Sequence, residues 1–382
     1  MTNVDEIIID LPPLSFEKCP ESDDERNKRL AIEKLIADSP ENHIPIEELR
    51  KLALSDLGLV NDDLRRILWP QLAGVDVTSL ERAPTLDELQ THPEYNQVVL
   101  DVNRSLKRFP PGIPYEQRIA LQDQLTVLIL RVIKKYPNLR YYQGYHDVAV
   151  TFLLVAGEEV AYAIMEELST THFSECMQET MEATQRRLMF IWPVVLYEQP
   201  ELFQFLQRSS VGTLFALPWY LTWFGHSLNS YKAVVRLYDY FLASPIYSPI
   251  FVTAAILLFR SQAILSEDCD MASVHCLLSK LPDDLPFEDL LKTSSKLYEK
   301  YSLTVIEKKV EELIKLEKEQ RLLEERHRLR PRSASSKPNY KLSKWFLNIL
   351  TPKSLMMTTA VSIVVGICAY YYKNQYLAAG IS

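Results

Sequence analysis

Leu121, Leu125, Leu128, Ile129, Val132 and Ile133 recur at intervals of three and four residues, which winds them onto one face of a helix over 114–135. Lys134 and Lys135 fall in its last turn, where positive charge meets the carbonyl end of the helix dipole, and Pro137 and Asn138 end it. The same period predicts helices over 24–37, 46–54 and 61–72, the last with Asn61 or Asp62 as cap and Pro70 as stop. It continues over 94–109, 148–155, 158–168, 181–197, 211–224, 230–242 and 249–265. Alternation at the strand period is nowhere sustained. From 286 to 330 the pattern becomes highly charged, and Ile306, Val310 and Leu313 are followed by Glu317 and Gln320 where a heptad needs apolar residues. A long exposed helix fits better than a lasting coiled coil.

Composition agrees with an all-α chain. Nine glycines stand where ordinary usage would give roughly 27, and Leu, Glu, Lys and Gln dominate the periodic stretches. With 47% hydrophobic residues among 382, the chain can bury a sizeable core. Its net charge of −8 is uneven: eight acids and one lysine lie in the first 25 residues, eight basic residues and no acid between Arg326 and Lys353. The periodic part carries no basic stripe, so nucleic acid is not an expected partner. Five cysteines without metal spacing fit a reduced, cytosolic compartment. The N-terminus lacks the basic and apolar regions of a signal peptide.

The C-terminus changes the picture. Residues 355–372, LMMTTAVSIVVGICAYYY, carry no charge and as a helix would reach about 27 Å, against a hydrocarbon core of about 30 Å. A buried core helix is the alternative, but the basic stretch before it and its place near the chain end favour a transmembrane tail anchor that keeps residues 1–354 cytoplasmic. The expected organisation is an acidic flexible lead and first helix (1–40), a main domain (56–285), a charged helical extension (286–330), a basic linker with an amphipathic segment (331–354), the anchor (355–372) and a lumenal tail (373–382). The EIIID segment in the lead is either a short docking motif or simply solvated.

The common catalytic signatures are absent: GxxxxGK, GxGxxG, GxSxG and HExxH do not occur. Two sparser clusters remain. In YNQVVLDVNRSLKRF, Asp101 sits at the edge of an apolar face and Arg104, three residues on, beyond it toward solvent. The pair reads equally as an ordinary surface ion pair, and Arg108, about 40° round the helix, is a rival arginine. In RYYQGYHD, residues 140–147, the tyrosines cannot all point to one core from a short turn; Gln143 offers an amide that donates and accepts, and Gly144 permits close backbone approach. Aromatic core beside a capped helix is one alternative, and His146 with Asp147 as metal ligands another, although no second cluster supports a metal.

Together these segments resemble a known family, the TBC domains. VVLDVNR is similar to its Ile-x-x-Asp-x-x-Arg motif, YYQG to its Tyr-x-Gln-Gly, RRILW to its Arg-x-x-x-Trp, WYLTWF to its aromatic segment and RLYD to its Arg-Ile-Trp-Asp, all in order over about 56–285. Val98 stands for the usual Ile and Tyr238 for Trp. PGIPYEQR, YYQGYHD, TLFALPWYLTWFGH and DCDMASVHCLLS, with the C-terminal span, resemble the family's endoplasmic-reticulum tail-anchored type, which acts on the Rab of ER-to-Golgi traffic.

The resemblance implies an all-α GTPase activator rather than an enzyme with its own substrate. Arg104 would be an arginine finger and Gln143 a glutamine finger that orients the attacking water. Asp101 would orient Arg104, Arg65 would stack near Trp69, Tyr141 would help seat the partner's switch region, and Gly144 would allow close contact. Tyr142, Tyr145, Trp219 and Trp223 would form the docking face. The implied partner is the GTP-form Rab of ER-to-Golgi traffic, met at the ER membrane or early Golgi where the anchor holds this chain; GTP and Mg²⁺ belong to that partner, and no metal or cofactor to this chain. A membrane-tethered Rab-binding scaffold without catalysis, and a metal phosphohydrolase using His146 and Asp147, are the alternatives.

Overall fold

The computed structural model describes residues 21–40, 43–78, 80–105 and 115–329, and among them every regular element is helical. The chain opens with α1 (Asp23–Asp38), α2 (Ile46–Leu54) and α3 (Asp62–Ala73). Ser22 and Glu25 close a reciprocal capping box on α1, and Asn61 Oδ1 accepts from the Leu64 N–H at 3.0 Å to start α3. Pro70 does not stop α3. It lies in the last turn, where burial of Leu72 carries the helix on to Gly74, whose φ of 69° makes the left-handed cap.

After α4 (Leu86–Leu89) come α5 (Tyr95–Ser105), α6 (Tyr115–Lys135), α7 (Tyr145–Ala156) and α8 (Glu158–Thr170). The helix expected over 181–197 is two, α9 (Glu182–Leu188) and α10 (Ile191–Glu198). Pro193 has no N–H for the Met189 carbonyl, so the ladder breaks there and the proline settles into the first turn of α10. Next is α11 (Pro200–Ser209), a helix not anticipated from the sequence although Pro200 at its start and Leu202, Phe205 and Leu206 on its buried face mark it.

The expected helix over 211–224 is mostly something else. A 3-10 turn, Leu214–Ala216, leads into the short α12 (Leu217–Leu221), and Trp223 and Phe224 follow with φ of 46° and 66°. Left-handed aromatic residues cost on the order of 1–3 kcal/mol each, here sustained by burial of both rings. Then come α13 (Tyr231–Ala243), α14 (Ser248–Phe259), α15 (Ser261–Leu265) and α16 (Met271–Leu278). The break between α14 and α15 falls at Arg260, whose guanidinium donates to Leu277 O and Lys280 O, both at 3.1 Å, near the end of α16. The last helices are α17 (Phe287–Lys300) and α18 (Leu303–Leu329).

Two helices organise the core. α7 is packed by α3, α5, α6 and α8; α14, buried from Ser248 to Leu257, is packed by α10, α12 and α17. Leu290, Leu291, Ser294 and Leu297 of α17 are buried, so the helix just beyond 285 shares this core. α18 buries Ile306 and Val310 and packs on α10, then leaves Leu316, Leu322 and Leu323 exposed. Among the described residues no helix is long and apolar enough to cross a membrane; the proposed lead, linker, anchor and lumenal tail at 1–20 and 331–382 lie outside them.

A buried carboxylate ties the halves together. Asp239 of α13, fully buried, accepts from Arg65 Nε at 3.0 Å, Trp69 Nε1 at 2.8 Å and the Leu59 N–H at 3.0 Å. Gly58, at φ 54°, has to be glycine, since a Cβ there would lie 2.5 Å from Asp239 Oδ2. Arg236, three residues earlier, donates to Glu288 and to the carbonyls of Ala53 and Ser55 at the end of α2. Arg65 therefore meets Trp69 through a shared carboxylate, not by the stacking expected from the sequence.

His172, after α8, predicts acid sensitivity. Its ring meets Trp223 edge-on at 5.5 Å, its Nε2 is buried without a hydrogen-bond partner, and burial pushes its pKa down to about 4 from 6.5. The unfolded chain binds that proton near 6.5 and the folded chain does not, so stability falls as pH drops from about 6.5 to 4, by about 3 kcal/mol. Urea denaturation of His172→Phe across this window is expected to show a correspondingly flatter loss than the parent chain; parallel curves would remove His172 as the cause.

Candidate functional site

The sequence clusters around Arg104 and Gln143 come from different parts of the chain, and the fold joins them. Arg104 lies in the last turn of α5 with its side chain 72% exposed. Three residues earlier Asp101 is buried, its Oδ1 3.8 Å from the Arg104 guanidinium. Its Oδ2 accepts from Gln97 Nε2 at 2.9 Å and from Tyr141 Oη at 3.2 Å. Neutral donors thus hold the carboxylate while one oxygen faces the arginine, which stays free to move in solvent.

Gln143 is exposed in the turn that precedes α7. The turn is held on both flanks: the Tyr141 N–H donates to Glu94 Oε2 at 2.8 Å, and Asp147, in the first turn of α7, accepts from Ser105 Oγ at 2.9 Å. Gly144 has φ 112°, and a Cβ there would lie 2.9 Å from Thr222 Cγ2. The close approach this glycine permits is therefore to the chain's own 217–226 segment.

A polar network runs beneath the two exposed side chains. Tyr141 Oη lies 2.8 Å from His146 Nδ1, His146 Nε2 lies 3.5 Å from Asp147 Oδ1, and His226 Nδ1 lies 3.0 Å from Asp147 Oδ2. Burial, with the charge of Asp101 beside it, raises the Tyr141 phenol well above its usual range, so it remains a donor. Burial lowers the His146 pKa against the pull of Asp147 and Asp101. Burial opposes ionisation of Asp147, but the hydrogen bonds from His226 and Ser105 and the charge of His146 hold its carboxyl below the ordinary value. The polar atoms of His146 and Asp147, weighed above as metal ligands, thus face Tyr141, Ser105 and His226.

The docking face expected at Tyr142, Tyr145, Trp219 and Trp223 is corrected by the structure: all four are buried. Tyr142 Oη donates to Leu221 O at 2.8 Å, Tyr145 Oη pairs with Ser169 Oγ at 2.7 Å, Trp219 stacks on Phe224, and Trp223 packs on Phe173 and Tyr238. The 217–226 segment packs on Tyr142 and sets Trp223 between Phe152 of α7 and Tyr238 of α13. Arg65 and Trp69 act at a distance through packing, since Trp69 meets Phe152 of α7 at 5.1 Å and so supports the helix behind Gln143. Tyr238, where the motif has Trp, fits the same cluster against Phe152 at 5.2 Å, and Val98 is buried as an Ile would be. Arg108 lies outside the described residues.

Sequence reasoning missed Ser105, Gln97 and His226, and saw Asp147 only as a metal ligand. Ser105 follows Arg104 directly and Gln97 stands four residues before Asp101, a spacing that a helical reading pairs. His226, 79 residues from Asp147, left no local signal.

Similarity to known proteins gives the family. The family model for the Rab-GTPase-TBC domain matches residues 62–265, more than half of the chain. TBC1 domain family member 20 of Homo sapiens is 47% identical over 253 residues, covering 66% of this chain and 63% of that protein; the chain thus spans less than two thirds of this relative's length. The GTPase-activating protein gyp10 of Schizosaccharomyces pombe is 29% identical over 253 residues, covering 65% and 67%. In fold, the chain is similar to the crystal structure of the Ypt/Rab-GAP domain of Gyp1p, with a TM-score of 0.58 at 15% identity over 72% of this chain and 97% of that one. With helices alone as regular elements among its described residues, its motifs in this order and the family model matched over 62–265, the chain belongs to the Rab-GTPase-TBC domain family.

Proposed function

We propose that the chain is a GTPase activator for Rab-type small GTPases, completing their hydrolytic site across an interface with Arg104 and Gln143. The observation that carries this is an exposed arginine, backed by a buried carboxylate, beside a turn that offers an exposed carboxamide and is hydrogen-bonded to the arginine's own helix. Hydrolysis of GTP spreads negative charge over the transferring phosphoryl group, and a guanidinium stabilises it with directed donors. The carboxamide oxygen accepts a hydrogen bond from the attacking water while its NH2 donates to a phosphate oxygen or backbone carbonyl, which fixes the line of attack. GTP and Mg²⁺ are the partner's, so this chain supplies side chains and orientation.

Residues 355–372 extend the proposal to place: as a tail anchor they would hold the activator on the ER membrane, facing the Rab of ER-to-Golgi traffic. The test of the whole reading is single-turnover phosphate release from a panel of GTP-loaded Rab GTPases with the full chain in detergent. One or a few are expected to be strongly accelerated, the ER-to-Golgi Rab among them. Gln143→Ala is expected to lower the acceleration by about 10²- to 10³-fold, as loss of one oriented donor does, with binding retained. Binding without accelerated release would instead identify a tether.

A further inference from the structure

We propose that Asp147 is a positioning residue for both fingers, the second half of a clasp that locks the end of α5 to the turn carrying Gln143. This rests on the finger reading above and goes beyond it to residues that touch neither nucleotide nor water. Arg104 is bracketed in sequence by Asp101 and Ser105, and Gln143 by Tyr141 and Asp147. Each bracket on α5 is bonded to one on the other segment, Tyr141 Oη to Asp101 Oδ2 at 3.2 Å and Ser105 Oγ to Asp147 Oδ1 at 2.9 Å. A single bridge would act as a hinge between the segments. Two bridges on either side of the fingers also fix rotation, which is what convergence on one phosphoryl group requires.

Asp147 is built to hold that position. Ser105 follows Arg104 directly on α5, so a bond to its hydroxyl fixes the helix next to the finger. The Asp147 side chain is 13% exposed, and its N–H donates to Gly144 O at 3.0 Å, closing the turn on which Gln143 stands. Its other oxygen faces His226 Nδ1 at 3.0 Å, and His226 is delivered by the turn in which Trp223 and Phe224 adopt left-handed backbone. The charged and titratable groups around it are His146, one residue back, His226 in direct contact, and Asp101 beyond Tyr141. The strained 222–226 turn thus braces the clasp from outside.

Two measurements test this on the full chain. In single-turnover hydrolysis with the same GTP-loaded Rab panel, Ser105→Ala and Asp147→Ala are each expected to lower the maximal rate about 10- to 100-fold, with the half-saturating chain concentration changed less than about twofold. The double variant is expected to be no worse than Asp147→Ala alone, because that change already removes the bridge to Ser105. Ser105→Thr keeps the hydroxyl, and Asp147→Asn keeps an acceptor for it and can donate to His226, so both are expected to restore most of the rate. In amide hydrogen exchange on the chain alone, Ser105→Ala is expected to speed exchange over 143–147 as well as 101–105. Undiminished rates in Ser105→Ala, losses confined to half-saturation, or faster exchange restricted to 101–105 would each overturn the clasp while the finger reading stands. A parent chain that accelerates no Rab removes the finger reading, and the clasp's catalytic role with it.

Discussion

Arg104→Ala is expected to reduce stimulated GTP hydrolysis by about 10³- to 10⁵-fold, equivalent to about 4–7 kcal/mol of barrier, in single-turnover phosphate release. Three features of the site set that size. The side chain is mostly solvent-exposed, so a partner's phosphates can reach it, and water loses it on docking. Its ion pair with Asp101 is long at 3.8 Å, so little has to be broken for the guanidinium to swing onto a phosphate. Asp101 keeps Gln97 and Tyr141 as donors when the arginine is gone, so the buried carboxylate is not orphaned and folding should change by less than about 0.5 kcal/mol. Arg104→Lys is expected to recover little, because an ammonium is a point charge without the guanidinium's planar fork. Arg108→Ala is the matching control and should leave the rate within a few-fold. Full stimulation by the Arg104→Ala chain would take this arginine out of the reaction.

Local pattern made much of this legible. The period of three and four placed α6, α8 and α13 closely, Asn61 capped α3 as its chemistry requires, and the spacing of Asp101 and Arg104 placed one inside and one outside. Proline misled at Pro70, where burial of Leu72 outweighs a missing N–H in the final turn, and was under-read at Pro193, which splits a helix. Tyr142 and Tyr145 show a deeper limit. A short turn suggests that they are exposed, but Tyr142 bonds to Leu221, 79 residues away in a segment bent by two left-handed aromatics, and Tyr145 to Ser169 of α8. The same distance hid His226. What sequence patterning cannot supply is which remote segment closes over a motif, and this decides whether an aromatic is a contact surface or a core.

Asp239→Ala is expected to destabilise the helical domain by about 3–5 kcal/mol in urea denaturation, out of a total of roughly 5–15 kcal/mol for a domain. The carboxylate is fully buried and holds three separate pieces: the Arg65 guanidinium through both oxygens, the Trp69 indole N–H, and the Leu59 backbone N–H. Removing it leaves a buried cation whose remaining partner, Asp62, is bonded at 2.9 Å but lies nearer the surface. Asp239→Asn keeps the shape and an acceptor but not the charge, so an intermediate loss is expected. Replacing both partners, Asp239→Leu with Arg65→Met, is expected to recover part of the stability, since no isolated charge then remains inside. Activity should follow the folded fraction in these variants, with the surviving molecules accelerating hydrolysis normally, whereas Arg104→Ala should stay folded and inert. A well-folded Asp239→Ala chain that had lost catalysis would place this carboxylate in the reaction rather than in the scaffold behind α7.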